Sequence, residues 1–376
     1  MATRNRSKFE GTIPGGNAVY ILGTLPDDNQ TDQHHYSVTC TDQDAGDHIT
    51  TNPFDIIRTS TYVGLVNGSN GSWKCEDYAQ YNVHPVVANL PGVPDDSVAA
   101  TSALARANPS RPNVDVWAFV AELRELPRAV KQLGDYLRKV QSGGKPNSAD
   151  IASGYLGWTF GWKPLISDLG KLLDFQGAVD KRLDALKRLN SGELNRTVVV
   201  YNASAPQGVQ SWYVGPSYGS TAQFRVYYRT EQKVWVRVRY APKNPLPPNG
   251  SDEQRDLARS LVFGHQISHE TLWNLMPWSW LIDWFSNVGD YIAAHNNRLG
   301  LTATDIAVMR HTRQFVDRVD KLSGPSDCEL TQSEKPTWER KRRSRYVGNP
   351  VIKFQLPFLD LGQLSILSAL AVTRLK

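Results

Sequence analysis

FRVYYRTEQKVWVRVRY, Phe224–Tyr240, is the stretch that decides the fold class. Phe224, Val226 and Tyr228 alternate with Arg225, Tyr227 and Arg229, and Val234, Val236, Val238 and Tyr240 alternate with Trp235, Arg237 and Arg239. Successive side chains of a strand point to opposite faces, so strict period two predicts a half-buried strand. One face is apolar, and the other is cationic and aromatic. The surrounding segment 196–240 reads as strand throughout. Ala241–Gly250, with four prolines, follows as a stiff connector.

Helical periods lie on both sides. In residues 113–141, Val116, Val120, Leu123, Val130, Leu133, Leu137 and Val140 recur at three- and four-residue steps. Pro127 interrupts them and Gly143-Gly144-Lys145-Pro146 ends the block. A second helical block runs from Ala149 to Leu189, with Pro164 placed for a first helical turn. Ser251 with Gln254 forms a capping box that opens a third block, through about Leu299. Residues 302–358 read as strands again and Asp360–Lys376 as a final helix. Residues 1–110 are turn-rich, with β-prone runs at Ala18–Leu22 and Tyr62–Val66 and a loop at Asn67–Gly71 between paired strands.

Strands and helices therefore interleave three times, which predicts an α+β protein. The expected form is elongated, with a helical bundle region at one end and an antiparallel β-sheet region at the other. The β-region takes residues 1–110, 196–245 and 302–358. The α-region takes residues 111–195, 251–301 and 359–376.

The chain has 376 residues, enough apolar content (40%) for a substantial core, and a net charge of +5. That charge is unevenly spread: residues 1–110 carry −6 and residues 111–376 carry +11. The larger part could thus face a polyanion. Three scattered cysteines, Cys40, Cys75 and Cys328, exclude a disulfide framework and suit a protein made in a bacterial cytoplasm. No secretory signal or membrane-spanning run is visible. Catalytic and metal motifs are weak. His265 and His269 lack an HExxH setting, and the Asp42, Asp44, Gly46, Asp47 loop has its glycine one place early and Pro53 where a calcium loop carries Glu. The expectation is a non-enzyme with no cofactor and no metal.

Two strings are far more specific: YLGWTFGWKPLISD, Tyr155–Asp168, and WNLMPWSWLIDWFSNVGD, Trp273–Asp290. Read physically, Trp158, Trp162, Trp273, Trp280 and Trp284 are stiff apolar anchors whose indole N–H groups need partners. Gly161, Pro164, Pro277 and Gly289 shape the chain. Asp168 and Asp283 need hydrogen-bond partners inside apolar helical stretches, and Asn287 and Asp290 complete the second string. A role in organising the core follows. Both strings resemble the characteristic segments of the maturation proteins of single-stranded RNA bacteriophages.

The resemblance implies a virion protein, one copy per particle, that replaces a coat-protein dimer. It implies binding of the genomic single-stranded RNA near its 3′ end, attachment to a host pilus and entry of the RNA with the protein. Some relatives also lyse the host by inhibiting a cell-wall biosynthesis enzyme, which is the alternative role.

The cations fit RNA binding. Arg124, Arg128, Lys131 and Arg138 share one helical face with Lys139 beside it, and Lys181, Arg182, Lys187 and Arg188 cluster at the end of the second block. Arg340, Lys341, Arg342, Arg343 and Arg345 form the densest run. Arg forks onto phosphate in two-point fashion, and Tyr227, Trp235 and Tyr346 could stack on bases. The pilus contact is expected in the acidic, turn-rich first 110 residues, at Asp27–Gln33 and Asn67–Ser72, with Asp27, Asp28, Asn67 and Asn70 as candidates.

Overall fold

The computed structural model describes residues 3–10, 18–19, 36–44, 46, 50–60, 62–69, 74–81, 90–112, 155, 159, 174–214, 222–263, 279–297, 299–323, 329–331, 337–354 and 361–374. Its strands, in chain order, are β1 (Thr3–Glu10), β2 (Ala18–Val19), β3 (Tyr36–Gln43), β4 (Phe54–Ser60), β5 (Tyr62–Ser69), β6 (Lys74–Tyr81), β7 (Leu194–Val214), β8 (Ala222–Pro242), β9 (Leu301–Ser323), β10 (Glu329–Thr331) and β11 (Thr337–Arg345). The described helices are α1 (Asp96–Ala107), α2 (Phe175–Asn190), α3 (Asp252–Phe263), α4 (Ser279–Phe285), α5 (Val288–Ala294) and α6 (Leu361–Arg374). The class is α+β, as the interleaved periods predict. Among the described residues no helix is long and apolar enough to cross a membrane.

The chain divides into two compact units. One holds Met1–Asp96, Val199–Val236 and Asp305–Val347, and the other holds Ser97–Val198, Arg237–Thr304 and Gly348–Lys376.

A seven-stranded sheet runs in the order β1-β3-β4-β11-β9-β8-β7, and a four-stranded sheet in the order β10-β5-β6-β2. Every ladder with a defined register is antiparallel. β11, almost the last strand made, sits between β4 and β9. The period-two pattern of β8 is expressed along the strand: Phe224, Val226, Thr230, Gln232, Val234, Val236, Val238 and Tyr240 are buried, Tyr228 on the same face is half-buried, and the residues of the other face are not buried. Within the first unit Val226, Val316 and Trp338 form one cluster, with Ile57, Tyr228 and Val319 against it. Burying each such side chain stabilises by about 1.5–3 kcal/mol.

In the second unit α2 packs on α3. Val179, Leu186 and Leu189 of α2, and Ala258, Leu261 and Val262 of α3, are buried. The capping box forms as expected: Gln254 N–H donates to Ser251 Oγ at 3.1 Å. Gln254 Oε1 then accepts from Gly250 N–H at 3.0 Å, one residue earlier than the usual partner. Gly250 stands at φ +81°, a turn conformation that costs glycine little.

Two expectations are corrected. Residues 96–107, expected to be turn-rich sheet, form helix α1. Asn67–Ser69, expected in a loop, continue strand β5, with Asn67 opposite Glu76 and Glu329.

Candidate nucleic-acid interface

The basic run of β11 lies on a central strand, and alternation divides it between the two sheet faces. Arg340 and Arg342 share the face of buried Trp338. Arg340 forks onto the Asp55 carboxylate, Nε at 3.0 Å and Nη2 at 2.5 Å, so that hydrogen bond first, and the charge second, raise its pKa against the opposing effect of burial. Asp96, the first residue of α1, gathers Arg310 at 2.7 Å, Ser344 Oγ at 2.7 Å and Arg342 at 3.8 Å. A carboxylate at a helix N-terminus also meets the positive end of the dipole.

On the opposite face, Glu339 is bound by His311 at 2.7 Å, Lys341 at 3.0 Å and Arg58 at 3.5 Å. Burial pushes the Glu339 carboxyl up, but the hydrogen bonds from Lys341 and His311 outweigh it and the net direction is down. Arg343 donates to Asn52 O at 2.7 Å and lies 4.5 Å from the centre of the Phe54 ring. Arg345 stands 3.4 Å from the buried Asp305 carboxylate. Two acids from the first hundred residues, Asp55 and Asp96, thus pair with Arg340 and Arg342 of β11. The densest basic run in the sequence is not an open cationic cluster.

Helix α2 shows a different picture. Lys181, Lys187 and Arg188 are exposed, Lys181 to 80% of its side chain. Their acidic neighbours are loosely held, Lys181 to Asp174 at 3.9 Å and Lys187 to Asp184 at 3.6 Å, pairs of small energetic weight.

Arg182 does not join them and is corrected as a phosphate contact. It is 7% exposed, and its guanidinium donates to Pro109 O and, at 2.7 Å, to Arg111 O. Desolvation first, and the Arg196 charge second, push its pKa down to about 10. Arg196 approaches Ala107 O, the last carbonyl of α1, at 3.4 Å, while Arg182 serves carbonyls of the segment that follows the helix.

Arg124, Arg128, Lys131, Arg138 and Lys139 lie outside the described residues. So do Asp27, Asp28 and Asn70, and Trp158, Gly161, Trp162, Pro164, Asp168, Trp273 and Pro277 of the two strings. Trp280 falls in α4, where only its backbone is described. Among the described residues no group of three His, Cys, Asp or Glu side chains is placed to hold a metal ion.

The end of the second string has a clear physical role. Asp283 Oδ1 accepts from Gly289 N–H at 2.8 Å, which satisfies a free donor in the first turn of α5. Asp283 does this at the surface, not in the core. A Cβ on Gly289 would stand 2.6 Å from Asp283 Oδ2, so the carboxylate and a side chain cannot share that space. Asn287 precedes α5 but does not cap it with its side chain. Its amide donates to Val351 O at 2.9 Å and accepts from Lys353 N–H at 2.7 Å, next to the Ser286–Phe354 bridge. The amide thereby imitates a strand and fastens the segment 351–354.

Comparison with known proteins agrees with these observations. The phage maturation protein family matches residues 120–318, more than half of the chain, and both strings fall inside the match. Maturation protein A2 of Escherichia virus Qbeta is 29% identical over 188 residues, which are 46% of this chain and 40% of that relative. The chain therefore aligns with less than half the length of the relative it matches. By the extent of the family match, and by the two strings inside it, this chain belongs to the phage maturation proteins.

Proposed function

We propose that this maturation protein binds genomic single-stranded RNA near its 3′ end through its helical unit, replaces a coat-protein dimer in the virion, and attaches the particle to a host pilus. Membership of the family makes it a virion maturation protein; the RNA site, the pilus and the copy number of one are the proposal. The observation that carries the RNA part is the contrast between the two basic groups. The β11 cations are engaged by Asp55, Asp96, Glu339 and Asp305, while Lys181, Lys187 and Arg188 on α2 stand in solvent. Exposed, loosely paired cations on a helix face suit contact with a structured phosphate backbone.

The test is the salt dependence of binding between the purified full-length chain and its genomic 3′ RNA. Replacing Lys181, Lys187 and Arg188 by Ala should reduce the log–log slope by about 0.7–0.9 per lost phosphate contact. Replacing Arg340 by Ala should leave it unchanged. The reverse pattern would return the RNA site to β11.

A further inference from the structure

Among the described residues, one face of the seven-stranded sheet carries partly or fully exposed side chains along β8 within the first unit. Opposite the buried Val226, Val234 and Trp338, β8 presents Arg225, Tyr227, Arg229, Glu231, Lys233 and Trp235, all partly or fully exposed. Arg313 and Phe315 of β9 and the odd-numbered residues of β11 share this face, with Arg313 opposite Glu339 and Lys341 opposite His311. Past Val316 the alternation of β9 changes, so that Val319 packs on the core cluster and Arg318 lies over the Tyr227 ring. Arg229 bonds Asp317 across β8 and β9 at 2.9 Å.

Its aromatic rings are already covered. Lys233 lies 5.8 Å from the Trp235 ring, Arg313 5.0 Å from Phe315, Arg318 4.1 Å from Tyr227, and Arg343 4.5 Å from Phe54, its direct partner in the ladder. A cation held against a ring keeps less side-chain freedom to lose on binding.

Two features favour an acidic protein surface over RNA. Bases would need ring faces for stacking, and cations occupy those faces. Carboxylates of Glu231, Asp317, Asp320 and Glu339 are interspersed, which opposes a continuous chain of phosphates but suits a mixed-charge protein surface. An Arg-rich, aromatic-rich and Lys-poor composition is also that of protein-interface hot spots.

We infer that this sheet face, centred on Arg225, Lys233, Arg313, Arg318 and Arg343, is a docking surface for an acidic protein. The inference deepens the attachment reading and rests on it only for identifying that protein as the host receptor.

The test uses the full-length chain with Arg225→Glu, Lys233→Glu and Arg313→Glu together, and a second variant with Gln at the same three positions to guard against misfolding. The probes are a fluorescent polyglutamate peptide and the genomic 3′ RNA, at about 0.15 M salt. The Glu variant should bind polyglutamate at least tenfold more weakly, the Gln variant should lie between it and the parent, and RNA affinity should change less than twofold. Reversing Arg255 and Arg259 on α3 should leave polyglutamate binding within twofold, which separates this face from general positive charge. Unchanged polyglutamate binding in both triple variants, or a tenfold loss of RNA binding in their place, overturns the proposal. Adsorption of virions carrying the Glu variant is a separate readout. A loss of polyglutamate binding with normal adsorption keeps the docking surface and rejects its assignment to the receptor.

Discussion

The pairing of Asp283 with Gly289 yields a prediction in which one substitution changes sign with its background. Gly289 lies in the first turn of α5, where glycine is less favourable than alanine by up to about 1 kcal/mol. Gly289→Ala alone should nevertheless destabilise. Its Cβ would enter within 2.6 Å of Asp283 Oδ2, displace the exposed carboxylate and break the 2.8 Å hydrogen bond to the Gly289 amide. A carboxylate serving a helix N-terminus contributes about 1–2 kcal/mol, so the net loss should be roughly 0.5–1 kcal/mol. Asp283→Ala should lose the full 1–2 kcal/mol, about what such a cap contributes. Adding Gly289→Ala to Asp283→Ala should then recover up to about 1 kcal/mol, because nothing remains to clash. Thermal melts of the four full-length proteins decide the matter, at about 2–4 °C per kcal/mol. Equal effects of Gly289→Ala in both backgrounds would refute the reasoning.

Three further predictions concern other sites. Arg182→Met should destabilise by about 2–4 kcal/mol, because two buried carbonyls lose a charged donor, while the salt slope of RNA binding stays unchanged; denaturant midpoints check the first part, and a loss below about 0.5 kcal/mol would sink it. Glu339 has a folded-state pKa below its ordinary value near 4.5, so the stability it contributes is present above that value and is lost as pH falls beneath it. Glu339→Gln should therefore flatten the acid limb of melting temperature against pH, and an unaltered limb would show that the cluster around Glu339 is not coupled to folding. Asn287→Ala should free the segment 351–354 and speed tryptic cleavage after Lys353 by about tenfold, as expected if roughly 1.4 kcal/mol of local protection is lost.

Sequence pattern carried the class because β8 alternates cleanly over most of its length, although β4 and β9 do not. The same pattern could not reveal α1. Nine of its twelve residues, from Val98 to Ala107, are buried, so the helix shows no amphipathic stripe and its Ala, Ser and Thr residues look like a loop. The Arg340–Arg345 run looked like a phosphate-binding cluster because adjacency in sequence hides the alternation of a strand. Two of its partners, Asp55 and Asp96, lie hundreds of residues away in the chain. Arg182 was more legible than the reading allowed. It stands three residues after Val179 and four and seven before Leu186 and Leu189, on the apolar seam of α2. The end of the second string was legible as structural, but not the geometric reason, since only coordinates show that one carboxylate both serves the Gly289 amide and fills the space above it.

The central position of β11 also bears on how the protein is made. Ser60 of β4 hydrogen-bonds Thr337 of β11 across 277 residues of intervening chain. At ribosomal rates of about 5–20 residues per second, β4 waits roughly 14–55 s for the neighbour that completes its ladder. Until then the sheet is split, and both β4 and β9 carry unsatisfied edges open to wrong partners. A ribosome that stops before residue 337 releases a chain whose central seam cannot close. Synthesis of β11 therefore acts as a checkpoint, because only a chain that extends past residue 345 yields a sheet without this open interior edge.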